Sequence, residues 1–336
     1  MINAFPQPSL LVGRSERILV ANRSANRVFN RDITGLHYTA VLRQPQLVTA
    51  LERAMNNGDC DDVRYRNPTI ANDNIYRASF RPLESPVSVG VVVTLEDLSH
   101  EEGLGEMRRD FVANVSHELR SPLTAMTGFI ETLRGPAAND AAARDTFLKM
   151  METEAARMTR LVEDLLSLSR VESEARLKPD VTTDLIAVLN ELRPVLSGLV
   201  DTKSVTLEFV LPEEPVLVTG DRDQLGQVFR NLLENAVKYG NRHVRLSVSL
   251  PEREAFVRGP AVVVDVEDDG DGIAPHHVPR LTERFYRVDT HRSRAEGGTG
   301  LGLAIVKHII GRHRGRLRIS SVPGEGSTFS VILPRL

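Results

Sequence analysis

One cysteine, Cys60, is the only thiol in 336 residues, so an internal disulfide is excluded and the chain suits a reducing compartment. Long apolar runs are equally scarce. The most extended, Val87–Leu95, would cross about a third of a bilayer as a helix, where roughly 20 residues are needed, and it reads as a buried strand instead. The N-terminus carries no basic-then-apolar signal. Neither charge sign dominates: 42 basic against 45 acidic residues leave a net charge of −3, which gives no electrostatic reason to expect direct nucleic-acid binding. The sequence also shows no internal repeat and no low-complexity tract. What is present, 41% hydrophobic and 26% charged residues, is the balance of a soluble globular protein, long enough for two or three domains.

Three stretches differ in pattern, and together they predict a multidomain α+β chain. Residues 1–97 alternate strand-like and short helical pieces. Leu10–Gly13 and Arg17–Ala21 flank a polar turn, Ala25–Phe29 and Gln46–Met55 have helical spacing, and Ile75–Pro82 and Val89–Leu95 read as strands. A strand pair, short helices and an antiparallel meander are similar to a PAS domain, which implies a sensor module. No cofactor is expected in it: Cys60 lies in an acidic turn, and His37 reads as structural.

Residues 98–175 predict a helical hairpin. Leu104, Met107, Phe111, Val115, Met126, Ile130 and Leu133 recur at threes, fours or their multiples, Gly135–Asp140 is a loop, and Phe147, Met151, Ala155, Met158, Leu161, Leu165 and Leu168 form a second stripe. So thin a hairpin exposes an apolar face unless it pairs with a second copy, so a homodimeric four-helix bundle is expected. Residues 176–336 turn to a mixed pattern, with helices over 184–200, 224–239 and 301–310 and strands over 205–210, 244–250, 261–267, 316–320 and 328–333. Helices on one face of a mixed sheet make an α/β sandwich.

The chemistry concentrates in five places. His117 lies on the first hairpin helix with Glu118 beside it, Ser121 one turn on, and Pro122 positioned to bend the helix. Alone, such a histidine is more often structural. Asn231, Asn235 and Lys238 share one stripe of a helix, where amide oxygens suit Mg²⁺ and the lysine suits phosphate, although a solvated polar face would read the same. Asp268–Gly270–Asp271–Gly272 closes a strand, where a carboxylate can accept from an exocyclic amine and glycines let the backbone approach a flat ligand. Gly297–Gly298–Thr299–Gly300–Leu301–Gly302 opens a helix, as an anion site does; no strand immediately precedes it, so a dinucleotide turn fails its context. Gly324–Phe329 joins two late strands.

In this order and spacing, the last four resemble the N, G1, G2 and G3 boxes of the GHKL ATP-binding superfamily, and Glu283–Asp289 resembles the F box of histidine kinases. With Phe111–Thr124 as a phosphoacceptor box, the chain from about 105 to 336 resembles two-component sensor histidine kinases, closest to those of phosphate regulons. The resemblance implies a HisKA hairpin and a GHKL α/β sandwich, acting in ATP-dependent autophosphorylation of His117 and transfer to an aspartate of a separate response regulator receiver domain, in phosphate-responsive signalling. At the matching positions, Asn235 is expected to hold Mg²⁺ with Asn231 in support, and Lys238 and Tyr239 to meet the triphosphate and ribose. Asp268 is expected to bind the adenine amine, with Gly270 and Gly272 as the near wall and Thr328 at the adenine edge. Arg287 is expected to reach the terminal phosphate, Gly298, Gly300 and Gly302 to form the hinge of a lid over 281–296, and Arg292 and Arg294 to sit at its tip.

Glu118 is expected to accept the proton from His117 and orient its ring. Three departures from the family pattern stand out: Thr282 where an aromatic is usual, Asp271 where proline is frequent, and Ser121 where threonine or asparagine accompanies phosphatase activity. They leave kinase activity expected and phosphatase activity weak. The competing readings are an ATP-driven clamp of the same superfamily, against which the His117–Glu118 box argues, and a non-catalytic scaffold. The expected location is the cytoplasm, or the cytoplasmic side of a membrane to which a segment or partner outside this sequence attaches the chain.

Overall fold

The computed structural model describes residues 5–67, 74–85, 88–174, 179–203, 205–288 and 298–336, and its contacts divide into two compact units, 1–113 and 114–336. Among the described residues no helix is long and apolar enough to cross a membrane.

In the first unit, β1 (Ser9–Gly13) and β2 (Ile18–Ala21) form a hairpin. Helices α1 (Arg23–Val28) and α2 (Pro45–Asn57) follow, and then β3 (Asp62–Asn67), β4 (Asn74–Ser85) and β5 (Ser88–Asp97). The sheet runs β2-β1-β5-β4-β3, and the register of each pair of neighbours is antiparallel. The apolar run expected to be a buried strand is β5, between β1 and β4, with Val91, Val93 and Leu95 buried at period two. Asn22 is buried where β2 meets α1. Its Oδ1 accepts from Ser9 N and Ala25 N, and its Nδ2 donates to Phe5 O and Gln7 O. His37 caps a short turn by accepting from Thr39 N, and its Nε2 lies 2.9 Å from Glu16. Cys60 is exposed.

Helix α3 (Ser99–Arg134) continues through Pro122, and α4 (Ala141–Ser173) begins at Asp140, which accepts from Ala142 N and Ala143 N. The expected second stripe needs correction. Leu161 and Leu168 are buried within this unit, together with Val171, where α4 lies against the helix that follows the glycine cluster. Among the described residues, the exposed large apolar side chains of the two helices are Val112, Leu123, Ile130, Leu148, Met150, Val162 and Leu166, of which only Ile130 was in the expected seam.

The rest of the second unit comprises β6 (Thr182–Asp184), α5 (Leu185–Lys203), β7 (Thr206–Val210), β8 (Leu217–Thr219), α6 (Arg222–Tyr239), β9 (His243–Ser249), β10 (Ala261–Asp268), α7 (Gly302–Arg312), β11 (Arg316–Val322) and β12 (Gly326–Pro334). Its main sheet runs β11-β12-β10-β9-β7, antiparallel except for the parallel pair β7–β9. Helix α6 packs against α5, α7, β9 and β10, with Leu225, Val228, Phe229, Leu232, Leu233, Ala236 and Val237 buried, so its polar stripe faces outward from a fixed helix. Two short paired strands, β6 and β8, escaped the periodicity because three residues are too few to show one. His313 locks α7 to the start of α6: its Nδ1 donates to Ile309 O, its Nε2 accepts from Asp221 N, and burial lowers its pKa.

Candidate functional site

His117 is exposed on α3 and shares a shallow depression with Arg120, Ser121, Thr124 and Ala125. Ser121 follows one turn later on the same face. Pro122, buried inside the helix, lacks the amide that would bond the Glu118 carbonyl.

In this structure Glu118 bonds partners other than the His117 ring. No hydrogen bond joins the two side chains. Instead Glu118 Oε2 accepts from Arg157 Nη2 of α4 at 3.0 Å and from Arg287 Nη2 at 3.2 Å. The three side chains are 17%, 12% and 6% exposed. Arg287 is therefore engaged with the hairpin, whereas the sequence assigned it to a terminal phosphate. Arg157 was missed altogether, because an arginine among the charged residues of α4 gives no sign of the partner it meets across the hairpin.

A second group of expected residues does assemble, at one end of the main sheet. Asp268 closes β10, paired in register with Val244 of β9 and Ser327 of β12. Its Oδ1 accepts from Gly270 N at 3.0 Å, and burial pushes its carboxyl up to about 6. The C-terminal end of α6 arrives beside it. A Cβ on Gly270 would fall 2.2 Å from Tyr239 O, one on Gly240 3.5 Å from Asp268 Cβ, and one on Gly326 2.0 Å from Asp268 O. Gly272 has φ +68°, and its missing Cβ would meet Val322 O at 2.1 Å. Thr328 pairs with Glu267, one step along β12 from Ser327.

Along α6, Asn231, Asn235 and Lys238 are half-buried. Asn231 Nδ2 donates to Gly302 O at 3.3 Å, which ties the stripe to the start of α7. The Asn235 amide makes no hydrogen bond to any described residue. Lys238 Nζ lies 5.0 Å from the centre of the Tyr239 ring. Gly300, at φ +74°, accepts through its carbonyl from Phe285 N at 2.8 Å, and Phe285 itself has φ +63°. Gly298 and Thr282 are half-buried and Asp271 is exposed. Arg292 and Arg294 lie outside the described residues.

The hairpin and the α/β part meet through polar contacts that no motif announced. Thr299 Oγ1 donates to Asp164 Oδ2 at 2.5 Å, Gln227 Nε2 donates to Ser167 Oγ at 2.8 Å, and Arg284 pairs with Glu172. His308 Nε2 lies 3.5 Å from Glu172, and Arg312 lies 3.2 Å from Glu174. Burial is the main reason the carboxyls of Asp164 and of neighbouring Glu234 on α6 are raised above the usual range. The only signal in the sequence was Asp164 and Glu172 at a spacing of eight, on a helix whose Leu161, Leu168 and Val171 are buried.

Residues 107–174 match the family described as His Kinase A (phospho-acceptor) domain, and residues 220–336 match Histidine kinase-, DNA gyrase B-, and HSP90-like ATPase. A sensor protein kinase WalK of Staphylococcus epidermidis is 33% identical over 331 residues, 97% of this chain and 53% of that protein. One from Staphylococcus aureus is 33% identical over 326 residues, 96% of this chain and 76% of that protein. The chain thus spans about half the length of the first relative. These WalK relatives do not speak for the expected phosphate-regulon signal. The histidine kinase ThkA, solved in complex with response regulator protein TrrA, has a similar fold, with a TM-score of 0.53 and 18% identity over 99% of this chain and 96% of that one.

Gly272→Ala tests the strand-end junction. A left-handed φ and a backbone clash together should destabilise the protein by about 2–4 kcal/mol in chemical denaturation, beyond the roughly 1 kcal/mol of an average substitution. A loss within 0.5 kcal/mol would mean that the approach to Val322 is not tight.

Proposed function

From the premise that the chain belongs to the two-component sensor histidine kinases, we propose that it uses ATP to phosphorylate itself on His117 and passes the phosphoryl group to an aspartate of a separate response regulator. The observation that carries this is an exposed histidine on α3 within the same compact unit as a strand-end site built from Asp268, Tyr239 and closely approaching glycine backbone. The half-buried Asp268 carboxylate would accept from the adenine amine, with Thr328 at the ring edge and Gly270 and Gly272 as one wall. Lys238, with Tyr239 beside it, would lie along the phosphates, and Arg287 would reach the terminal one after leaving Glu118. Gly298, Gly300 and Gly302 would form the hinge of the segment above.

Mg²⁺, when bound, screens the charge of the phosphates. Asn235 suits it, as a half-buried amide oxygen with no hydrogen-bond partner among the described residues is a hard ligand available to a hard cation. The chain's own work is to position the groups and neutralise charge. One nitrogen of the His117 ring attacks the γ-phosphorus, and the P–N bond forms as the bond to the ADP oxygen breaks. The proton on the other ring nitrogen passes to Glu118 once that carboxylate is released. The N-terminal unit supports a sensor reading, since its sheet order and the helices between β2 and β3 fit a PAS-like module over 1–97.

His117→Gln should abolish acid-labile labelling from γ-labelled ATP while adenosine binding is unchanged; label persisting on a histidine would remove His117 as acceptor. A pH series tests Asp268. The ionised carboxylate accepts from the adenine amine more strongly than the protonated acid, and burial raises the carboxyl to about 6, so affinity should be full above that pH. It should then fall toward about tenfold per pH unit as the free protein takes up the proton below it. Adenosine, which has no phosphate to titrate, is the ligand to use by calorimetry. A flat wild-type profile from pH 7.5 to 5, or Asp268→Asn binding like wild type, would refute the role.

The exposed Leu123, Ile130, Leu148, Val162 and Leu166 support a homodimer through the hairpin. Leu166→Glu would place an unpaired charge in that seam at a cost of several kcal/mol, roughly. Sedimentation should show a wild-type dimer that this variant dissociates, and a wild-type monomer at micromolar concentration would contradict the arrangement.

A further inference from the structure

Three contacts between the hairpin and the α/β part follow one chemical rule. On the hairpin side each partner is a carboxylate: Glu118 of α3, and Asp164 and Glu172 of α4. On the other side each partner is a donor from the connection between β10 and α7: Arg287, Thr299 and Arg284. The three donors span residues 284–299 and flank both sides of the expected lid tip. The connection ends in the glycine turn that opens α7, where amides and the positive helix end also favour an anion.

We propose that these hairpin carboxylates are an internal stand-in for the nucleotide triphosphate, so that ATP and the hairpin compete for the same donors. The inference rests on the nucleotide-site reading given above and deepens it. Both demands fall on one set of charges. An Arg287 bound to Glu118 is engaged away from the γ-phosphate, and a Glu118 held by two guanidiniums is engaged away from the His117 ring. Thr299 sits between Gly298 and Gly300, so its bond to Asp164 holds the hinge of the segment against α4. A triphosphate entering the site draws Arg287 off Glu118, which leaves the carboxylate with Arg157 alone when the phosphoryl donor has arrived. The raised carboxyl of Asp164 is consistent with a group drawn out of water by this docking.

Asp164 and Glu172 carry the test, because neither has a part in binding nucleotide or in the transfer itself. Calorimetry on the full chain, with wild type and with Asp164→Ala plus Glu172→Gln, should be run with Mg·ATP and separately with adenosine. The double variant is expected to bind Mg·ATP about fivefold or more tightly, with adenosine unchanged. Circular dichroism checks that it folds. Equal Mg·ATP affinity in wild type and double variant would overturn the competition, as would an equal gain for adenosine. A wild-type chain that takes up neither ligand would overturn the nucleotide reading as well.

Discussion

The shared carboxylate of Glu118 ties together three parts of the second unit: the helix carrying the exposed histidine, its antiparallel neighbour, and the connection leading from β10 to α7. Arg157 and Arg287 reach the same oxygen, and all three side chains are largely withdrawn from water. Dehydrating such charges costs several kcal/mol per ion, and their attraction roughly repays it, so the net stabilisation of an arrangement like this is small even though each bond is strong. That balance suits exchange. A contact near break-even can be replaced by another anion of similar charge without unfolding anything, whereas an apolar seam of equal area has no such substitute.

The α/β part follows the opposite principle. Asp268 is held where three strands and the end of α6 converge, and the convergence is possible because glycine backbones leave room: Gly270 under Tyr239 O, Gly326 under Asp268 O, Gly272 under Val322 O. None of these approaches can relax much, so the carboxylate is fixed before any ligand arrives and its partial burial raises its proton affinity.

Much of this was legible in the sequence. The β5 run, both hairpin helices, the polar stripe of α6 and the strand-end glycines were all readable, because each has a local cause in periodicity, capping or a left-handed φ. The residues that carry contacts between elements were not. Arg157 and Asp164 look like ordinary surface residues, and Thr299 gives no sign of Asp164, since the partners lie 39 and 135 positions apart. Two members of the second hairpin stripe were placed differently for a related reason. Periodicity shows that Leu161 and Leu168 face something apolar, but it cannot distinguish a second chain from α7 of the same chain. Strand β3 was missed because Asp62–Asn67 is an edge strand rich in charge, which lacks the apolar alternation that marks a central one.

Those long-range contacts also account for why Glu118 departs from the expectation set by its neighbour. A carboxylate next to a histidine in sequence lies about a third of a turn away on a helix, so the two side chains diverge unless something turns them together. On α3 His117 points to solvent, while Glu118 points at α4, where two guanidiniums wait. Adjacency in a motif therefore names two groups without bringing them into contact. Whatever brings them together must first release Glu118 from Arg157, from Arg287 or from both, and of the two only Arg287 belongs to the connection between β10 and α7.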